Sequence, residues 1–276
     1  MRVSFIHSGG EGWASYRYRC RRPAEAIGAS VNDPSADVLV FLKPVQGDVE
    51  KALEGKARGA RIVFDVCDDH FGHIQYREMA KVAELVTCPT RSMAAHLRQL
   101  GLTQPIAVVP DPYEFEEKQP QPMPAVERPR LLWFGHALNL GSLVHWMPAL
   151  SEYPLEIVSN LRPPGLNGYT FTKWSLENLR AAFWRSDIVL MPVTEPWKSP
   201  NRTVEALRQG KPVVASPSPS VHDIPGVYLG NMVLGVKVLA GEGLLTVDRV
   251  LAGQNWIRDR YSIEACAAAW RAALQV

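Results

Sequence analysis

Two runs of strand–helix alternation, one before and one after a proline-rich stretch, predict an α/β protein built from two parallel-sheet halves. Three observations carry that expectation. Short apolar segments recur at βα spacing, and one of them, Asp37 to Leu42 (DVLVFL), is apolar throughout, as a strand covered on both faces should be. The segment from Asp111 to Arg130 is rich in proline and glutamate and suits an extended linker. The βα pattern then restarts at Leu131. A chain of 276 residues has room for two domains, and 46% apolar with 21% charged residues can bury a core. A net charge of +2 is too balanced to imply a polyanionic partner.

In the first half, strands are expected at Val3 to His7, Asp37 to Leu42, Arg61 to Val66, Leu85 to Cys88 and Ile106 to Val109. Helices are expected at Ser15 to Ile27, Gly47 to Arg58, Gln75 to Ala83 and Arg91 to Leu100. In the second half, strand Leu131 to Phe134 runs into Gly135 and a helix reaching Leu150. Strand Leu155 to Val158 leads to a Pro/Gly-rich loop ending at Thr170. Helix Ser175 to Arg185, strand Asp187 to Met191, helix Asn201 to Gln209 and strand Val213 to Ala215 follow, with Gly210 as the helix stop. Gly230 to Gly243 mixes helical and strand signals. Ser262 to Leu274 reads as a helix capped by Ser262. The expected domains are 1–112, a linker 113–129, 130–260, and a terminal helix within 261–276 packing back toward the first half.

Cys20, Cys67, Cys88 and Cys266 are scattered and read as thiols in a reducing compartment, not as a zinc site or a disulfide framework. The amino terminus lacks the basic start and long apolar run of a signal peptide, and no apolar segment approaches a membrane span. A cytoplasmic protein is expected.

The segment Lys198 to Ala215 carries the strongest chemical signal. A loop enters a helix at Pro200 and Asn201, where unpaired N–H groups and the helix dipole favour an anion. Lys198 and Arg202 add positive charge at that end, which suits a diphosphate, and Glu205 lies one turn further in, placed to accept from sugar hydroxyls. A capped surface helix with ordinary charges is the bland alternative.

In the first half, Asp65-Val66-Cys67-Asp68-Asp69-His70 follows a strand, where ligands of open parallel sheets gather. Asp65, Asp69 and His70 are candidates to orient or deprotonate an acceptor hydroxyl. A metal site and helix-capping aspartates are the competing explanations. Tyr16 and Arg17 belong to a run of aromatics and four arginines, Trp13 to Arg22, that could grip an anionic acceptor or form a solvated basic face.

Taken in order, these pieces resemble the retaining GT-B glycosyltransferases of the "group 1", family 4-like class. Lys198 to Ala215 resembles the donor-binding signature of that class, and Asp187 to Pro192 its preceding strand. Phe134-Gly135 resembles its glycine turn, and Ser8-Gly9-Gly10 its amino-terminal glycine loop. The resemblance implies a GT-B fold, with two Rossmann-like domains, parallel sheets and a cleft between them. It also implies an enzyme that moves a sugar from a nucleotide-diphosphate sugar, such as a UDP-sugar, to a hydroxyl with retention. It places donor contacts at Gly135, Trp174, Lys198, Asn201, Arg202, Thr203 and Glu205, with Glu205 holding the ribose and Trp174 near the base. It places Gly9 and Gly10, with Tyr16 and Arg17 behind them, on the acceptor side. No cofactor and no essential metal are implied.

One departure stands out: where the class often has a first glutamate, eight positions before Glu205, this chain has Trp197. The acceptor is left among a glycan, a lipid, a small molecule and a DNA base. A glycosyltransferase of hydroxylated DNA bases, a sugar-nucleotide epimerase and a non-catalytic sugar-nucleotide-binding protein stay open as alternatives.

Overall fold

The computed structural model describes residues 1–122, 127–193 and 195–276. Residues 123–126 of the expected linker, and Thr194 of the loop before Pro200, lie outside them. The chain divides into two units: unit 1 comprises Met1–Tyr113, Trp197–Ser199 and Asp259–Val276, and unit 2 comprises Glu114–Pro196 and Pro200–Arg258.

Unit 1 is a six-stranded parallel sheet. Its strands are β1 (Val3–Ile6), β2 (Ser30–Val31), β3 (Val38–Leu42), β4 (Arg61–Asp65), β5 (Leu85–Cys88) and β6 (Ile106–Val108). They lie in the order β2-β1-β3-β4-β5-β6. Every residue of β1, β3 and β5 is buried, which explains why those strands read as unbroken apolar runs. Helices α1 (Arg22–Ile27), α2 (Asp48–Ala57), α3 (Ile74–Val82) and α4 (Arg91–Gln99) connect them. Helix α11 (Ile263–Leu274) also belongs to unit 1. Its Trp270 is fully buried and meets Phe5 of β1 edge-on at 5.0 Å.

The expected helix Ser15 to Ile27 is two elements. Tyr16–Arg21 is a π-helix, and α1 starts only at Arg22, with Pro23 in its first turn. Four consecutive residues of this wider turn, Arg17 to Cys20, are buried.

Unit 2 is a second six-stranded parallel sheet in the order β12-β11-β10-β7-β8-β9. Its strands are β7 (Leu131–Phe134), β8 (Leu155–Ser159), β9 (Thr170–Lys173), β10 (Ile188–Met191), β11 (Val213–Ala215) and β12 (Tyr228–Leu229). The long helix expected after Gly135 is instead a series of short turns around α5 (Gly141–Val144). Helices α6 (Leu176–Arg185) and α7 (Asn201–Arg208) follow the expected order, and the short α8 (Pro219–His222) adds an element that was not expected. Helix α7 stops at Gly210, whose φ of 72° favours glycine. The ambiguous Gly230 to Gly243 stretch is helix α9 (Met232–Glu242). Helix α10 (Leu245–Arg258), absent from the sequence-based expectation, completes the unit. No helix among the described residues is long and apolar enough to cross a membrane.

Both sheets reverse strand order once, between β1 and β3 in unit 1 and between β10 and β7 in unit 2. Open parallel sheets bind ligands outside the carboxyl ends of the strands at such a point.

Candidate functional site

In unit 2 the reversal point is formed by the end of β7, the end of β10 and the start of α7. The first intrahelical bond of α7 runs from Val204 N–H to the Pro200 carbonyl at 2.9 Å, so the Arg202 and Thr203 N–H groups have no partner inside the helix. No side chain caps this end, because the N-cap is Pro200. Arg202 therefore stands where backbone N–H groups and the helix dipole already favour negative charge.

Arg202 as a residue is half-buried. It donates from Nη1 to the Phe134 carbonyl at 3.0 Å and lies over the Trp133 ring at 5.7 Å. Gly135 makes room for it, since a Cβ there would come within 2.8 Å of Nη1 and 3.2 Å of the indole. Among the described residues no carboxylate pairs with Arg202, and burial alone pushes its pKa down to about 10. The group stays charged at neutral pH yet has lost hydration without gaining a counter-ion.

The other expected donor residues fare differently. Asn201 is half-buried at the start of α7, whereas the Thr203 side chain is buried (3% exposed), leaving only its N–H for a ligand. Glu205 is also buried, and its carboxylate accepts the backbone N–H groups of Glu114 and Phe115. This corrects its expected place facing sugar hydroxyls: the carboxylate pins the chain entering unit 2 onto α7. Trp174 follows β9, two strands from β7, with its N–H bonded to the Ser159 carbonyl. That puts it at the sheet edge rather than at the reversal point.

In unit 1 the three expected acceptor-side groups separate. Asp65 is buried and accepts from Arg19 Nε at 3.0 Å, from Arg19 Nη2 and from Thr87 Oγ1 at 2.6 Å. Arg19 is 1% exposed and also pairs with Asp111 at 3.1 Å. Burial works against the Arg19 charge, but Asp65 and Asp111 outweigh it and raise its pKa. Burial raises the Asp111 carboxyl despite Arg19 and the Ser199 hydroxyl. Asp65 is therefore a buried structural anion, not a group that meets an acceptor.

Asp69 pairs with His96 at 2.8 Å and accepts the Phe71 N–H at 3.1 Å. Burial opposes its ionised form, but these bonds hold its pKa below the usual value. The His96 ring lies flat on Trp197, centroids 3.9 Å apart and planes 1° from parallel. The residue that replaces the class's first glutamate is thus a packing partner in unit 1. Thr90 donates to the Trp197 carbonyl at 2.9 Å and fixes the same segment. His70 packs edge-on against His73 and Tyr76, and burial lowers its pKa.

Residues the sequence did not single out lie closest to the reversal point of unit 1. Lys43 directly follows β3 with φ of 45°, a left-handed conformation that non-glycine residues seldom adopt and that clusters at functional sites. Its ammonium pairs with Asp68 at 2.8 Å, and Lys198 approaches the same carboxylate at 4.0 Å. Burial opposes the Asp68 charge, and the two lysines overcome it, holding its pKa low. Lys198, expected at the diphosphate, therefore has its described ion pair in unit 1. No sequence signal marks Lys43, because its value comes from backbone geometry at a strand end.

His7 follows β1 and is 3% exposed. The Gly9 N–H donates to its Nδ1 at 2.7 Å, and a Cβ at Gly9 would collide with the ring at 2.7 Å. The glycine loop thus wraps an imidazole, while Gly10 faces open space. Tyr16 packs edge-on to His7 at 5.6 Å, and Arg17 is buried with its Nη1 donating to the Glu11 carbonyl at 2.7 Å. Arg21 pairs with Glu11 and Glu25, and Arg22 donates to the Tyr113 carbonyl. The four arginines are engaged inside unit 1, which corrects the expectation that Tyr16 and Arg17 grip an anionic acceptor.

All four cysteines are free, and burial pushes the Cys20, Cys88 and Cys266 thiols up to about 12. Among the described residues no three metal-ligating side chains converge.

No family model matches the chain, and no curated protein matches it in sequence. Solved structures do resemble it. The chain is similar to HepE from Anabaena, solved in complex with UDP, over 100% of both chains, with a TM-score of 0.72 at 14% identity. It is similar to a glycosyltransferase from Rickettsia africae ESF-5 over 99% of this chain and 98% of that one, TM-score 0.72, 12% identity. It is also similar to sucrose-phosphate synthase from Thermosynechococcus elongatus over 87% of this chain and 73% of that one, TM-score 0.63, 13% identity. Two six-stranded parallel sheets, each with its own strand-order reversal, together with this likeness, give the chain the GT-B fold of glycosyltransferases.

Proposed function

We propose that the chain is a glycosyltransferase that takes a sugar from a nucleoside-diphosphate sugar, with the diphosphate held in unit 2. Arg202 carries this assignment. A desolvated guanidinium with no carboxylate partner among the described residues, beside a helix amino terminus and a glycine turn, is built for a phosphate. When the sugar–phosphate bond breaks, negative charge grows on the leaving diphosphate, and Arg202 with the α7 N–H groups stabilises it. UDP is the first nucleotide to test, because the HepE structures contain UDP and UDP-glucose.

Transfer needs no divalent metal in this account. Asp65, Asp68 and Asp69 face Arg19, Lys43 and His96 respectively, so each carboxylate is already committed to a different cation or imidazole. A DNA-base acceptor loses its motivation, because the arginines that suggested it are engaged inside unit 1. Retention of configuration is the course we assign from the resemblance to the group 1 class.

The test is calorimetric titration of UDP into wild type and Arg202→Met, which keeps an apolar stem over Trp133. A hydrogen bond to a charged group is worth about 1.5–3 kcal/mol, so the variant should bind roughly 10- to 150-fold more weakly. Equal affinity in the two proteins would remove Arg202 from the donor site.

A further inference from the structure

We propose that Trp13, Lys43 and Asp68 form the acceptor subsite of unit 1 and that the acceptor is a sugar ring; this rests on the donor assignment above. The three residues meet where the strand order of the sheet reverses. His7, at the end of β1, is the post on which the subsite is built. Its Nδ1 receives the Gly9 N–H, and its Nε2 lies 3.2 Å from Ser15 Oγ. Burial, with Lys43 adding to it, lowers its pKa to about 4, so the ring is neutral near pH 7. Trp13 rests edge-on against this ring at 6.3 Å, and its backbone is fixed by a bond from its N–H to the Gly10 carbonyl at 2.9 Å. The indole is thereby held in place while 56% exposed.

An exposed, oriented indole is a platform for an apolar face. The Lys43 ammonium lies 5.8 Å from the ring centroid and pairs with Asp68 at 2.8 Å, so a donor and an acceptor sit together near the platform. Both side chains are about a quarter exposed, 22% and 27%, and can reach a ligand. A pyranose presents this combination: C–H groups on one face and vicinal hydroxyls that both donate and accept around the rim.

Other acceptor classes fit less well. A lipid chain needs continuous apolar lining, but the exposed loop beside Trp13 is Gly10, Glu11 and Gly12. A polyanion needs available arginines, and those of this segment are engaged.

The experiment is a glycan array of neutral oligosaccharides, with a spotted DNA oligomer on the same slide, probed with wild type, Trp13→Ala and Trp13→Phe in the presence of UDP. Wild type should bind at least one glycan. Trp13→Ala should weaken that binding by at least about tenfold, and Trp13→Phe should restore most of it. Calorimetric UDP affinity should be the same in all three, and their thermal midpoints should agree because the indole is largely exposed. If wild type binds UDP but no glycan, or binds the DNA oligomer through Trp13 instead, the acceptor assignment falls and the donor assignment stands. Glycan binding by Trp13→Ala equal to wild type has the same consequence. A wild type that fails to bind UDP overturns the donor assignment and this one with it.

Discussion

The two reversal points treat charge in opposite ways. In unit 1, Arg19 is enclosed by Asp65 and Asp111, while the partly exposed Lys43 and Asp69 are paired with Asp68 and His96. In unit 2, Arg202 has a carbonyl and an indole but, among the described residues, no carboxylate. A buried charge pair is a structural device: it is strongly destabilising to break, because the survivor is left without its partner. A desolvated charge with no counter-ion is a cost to the fold that a ligand can offset. Opposite signs in stability measurements should follow.

The largest effect belongs to Asp65. Asp65→Ala leaves the buried Arg19 guanidinium with Asp111 as its remaining carboxylate partner and should lower the free energy of unfolding by about 3–5 kcal/mol in denaturant titrations. A fully stable Asp65→Ala that has lost transfer would return Asp65 to the chemistry.

A smaller effect concerns His7, whose pKa falls from 6.5 to about 4 through burial and the Lys43 charge. The folded imidazole is neutral where the unfolded one takes up a proton. Its contribution is therefore present above pH 6.5 and is lost progressively as pH falls toward 4. Wild type should lose about 2 kcal/mol more stability between pH 7 and pH 5 than His7→Gln does. Parallel pH profiles would show that the ring is not desolvated as described. The smallest change should come from Arg202→Met, which should be as stable as wild type or more so while losing UDP affinity. A large destabilisation would make Arg202 one more structural cation like Arg19.

Much of the fold was legible because parallel strands buried on both faces leave continuous apolar runs, as in Val38–Leu42 and Ile188–Met191. Elements that escaped have physical reasons to do so. β2 and β12 are two-residue edge strands, too short for any periodicity. Helix α9 carries several valines and two glycines, which read as strand or loop. It is a helix because Gly235 lets it pack closely, since a Cβ there would meet Tyr228 and Val214 at 2.5 Å. The site was legible where charge sits at a recognisable motif, as with Arg202 and Gly135. It was not legible where residue type says nothing about direction. Glu205 and Asp65 look like exposed carboxylates in the sequence, yet each is turned inward to partners about 90 and 46 positions away. Lys43 and Trp13 look ordinary and gain their meaning from a left-handed backbone and a buried histidine.

A crystal structure of the chain with UDP tests the central claim most directly. The diphosphate should lie against the Arg202 guanidinium and the amino-terminal N–H groups of α7, beside Gly135. Diphosphate density on Lys43 and Asp68 in unit 1, with Arg202 still bonded only to the Phe134 carbonyl, would contradict it.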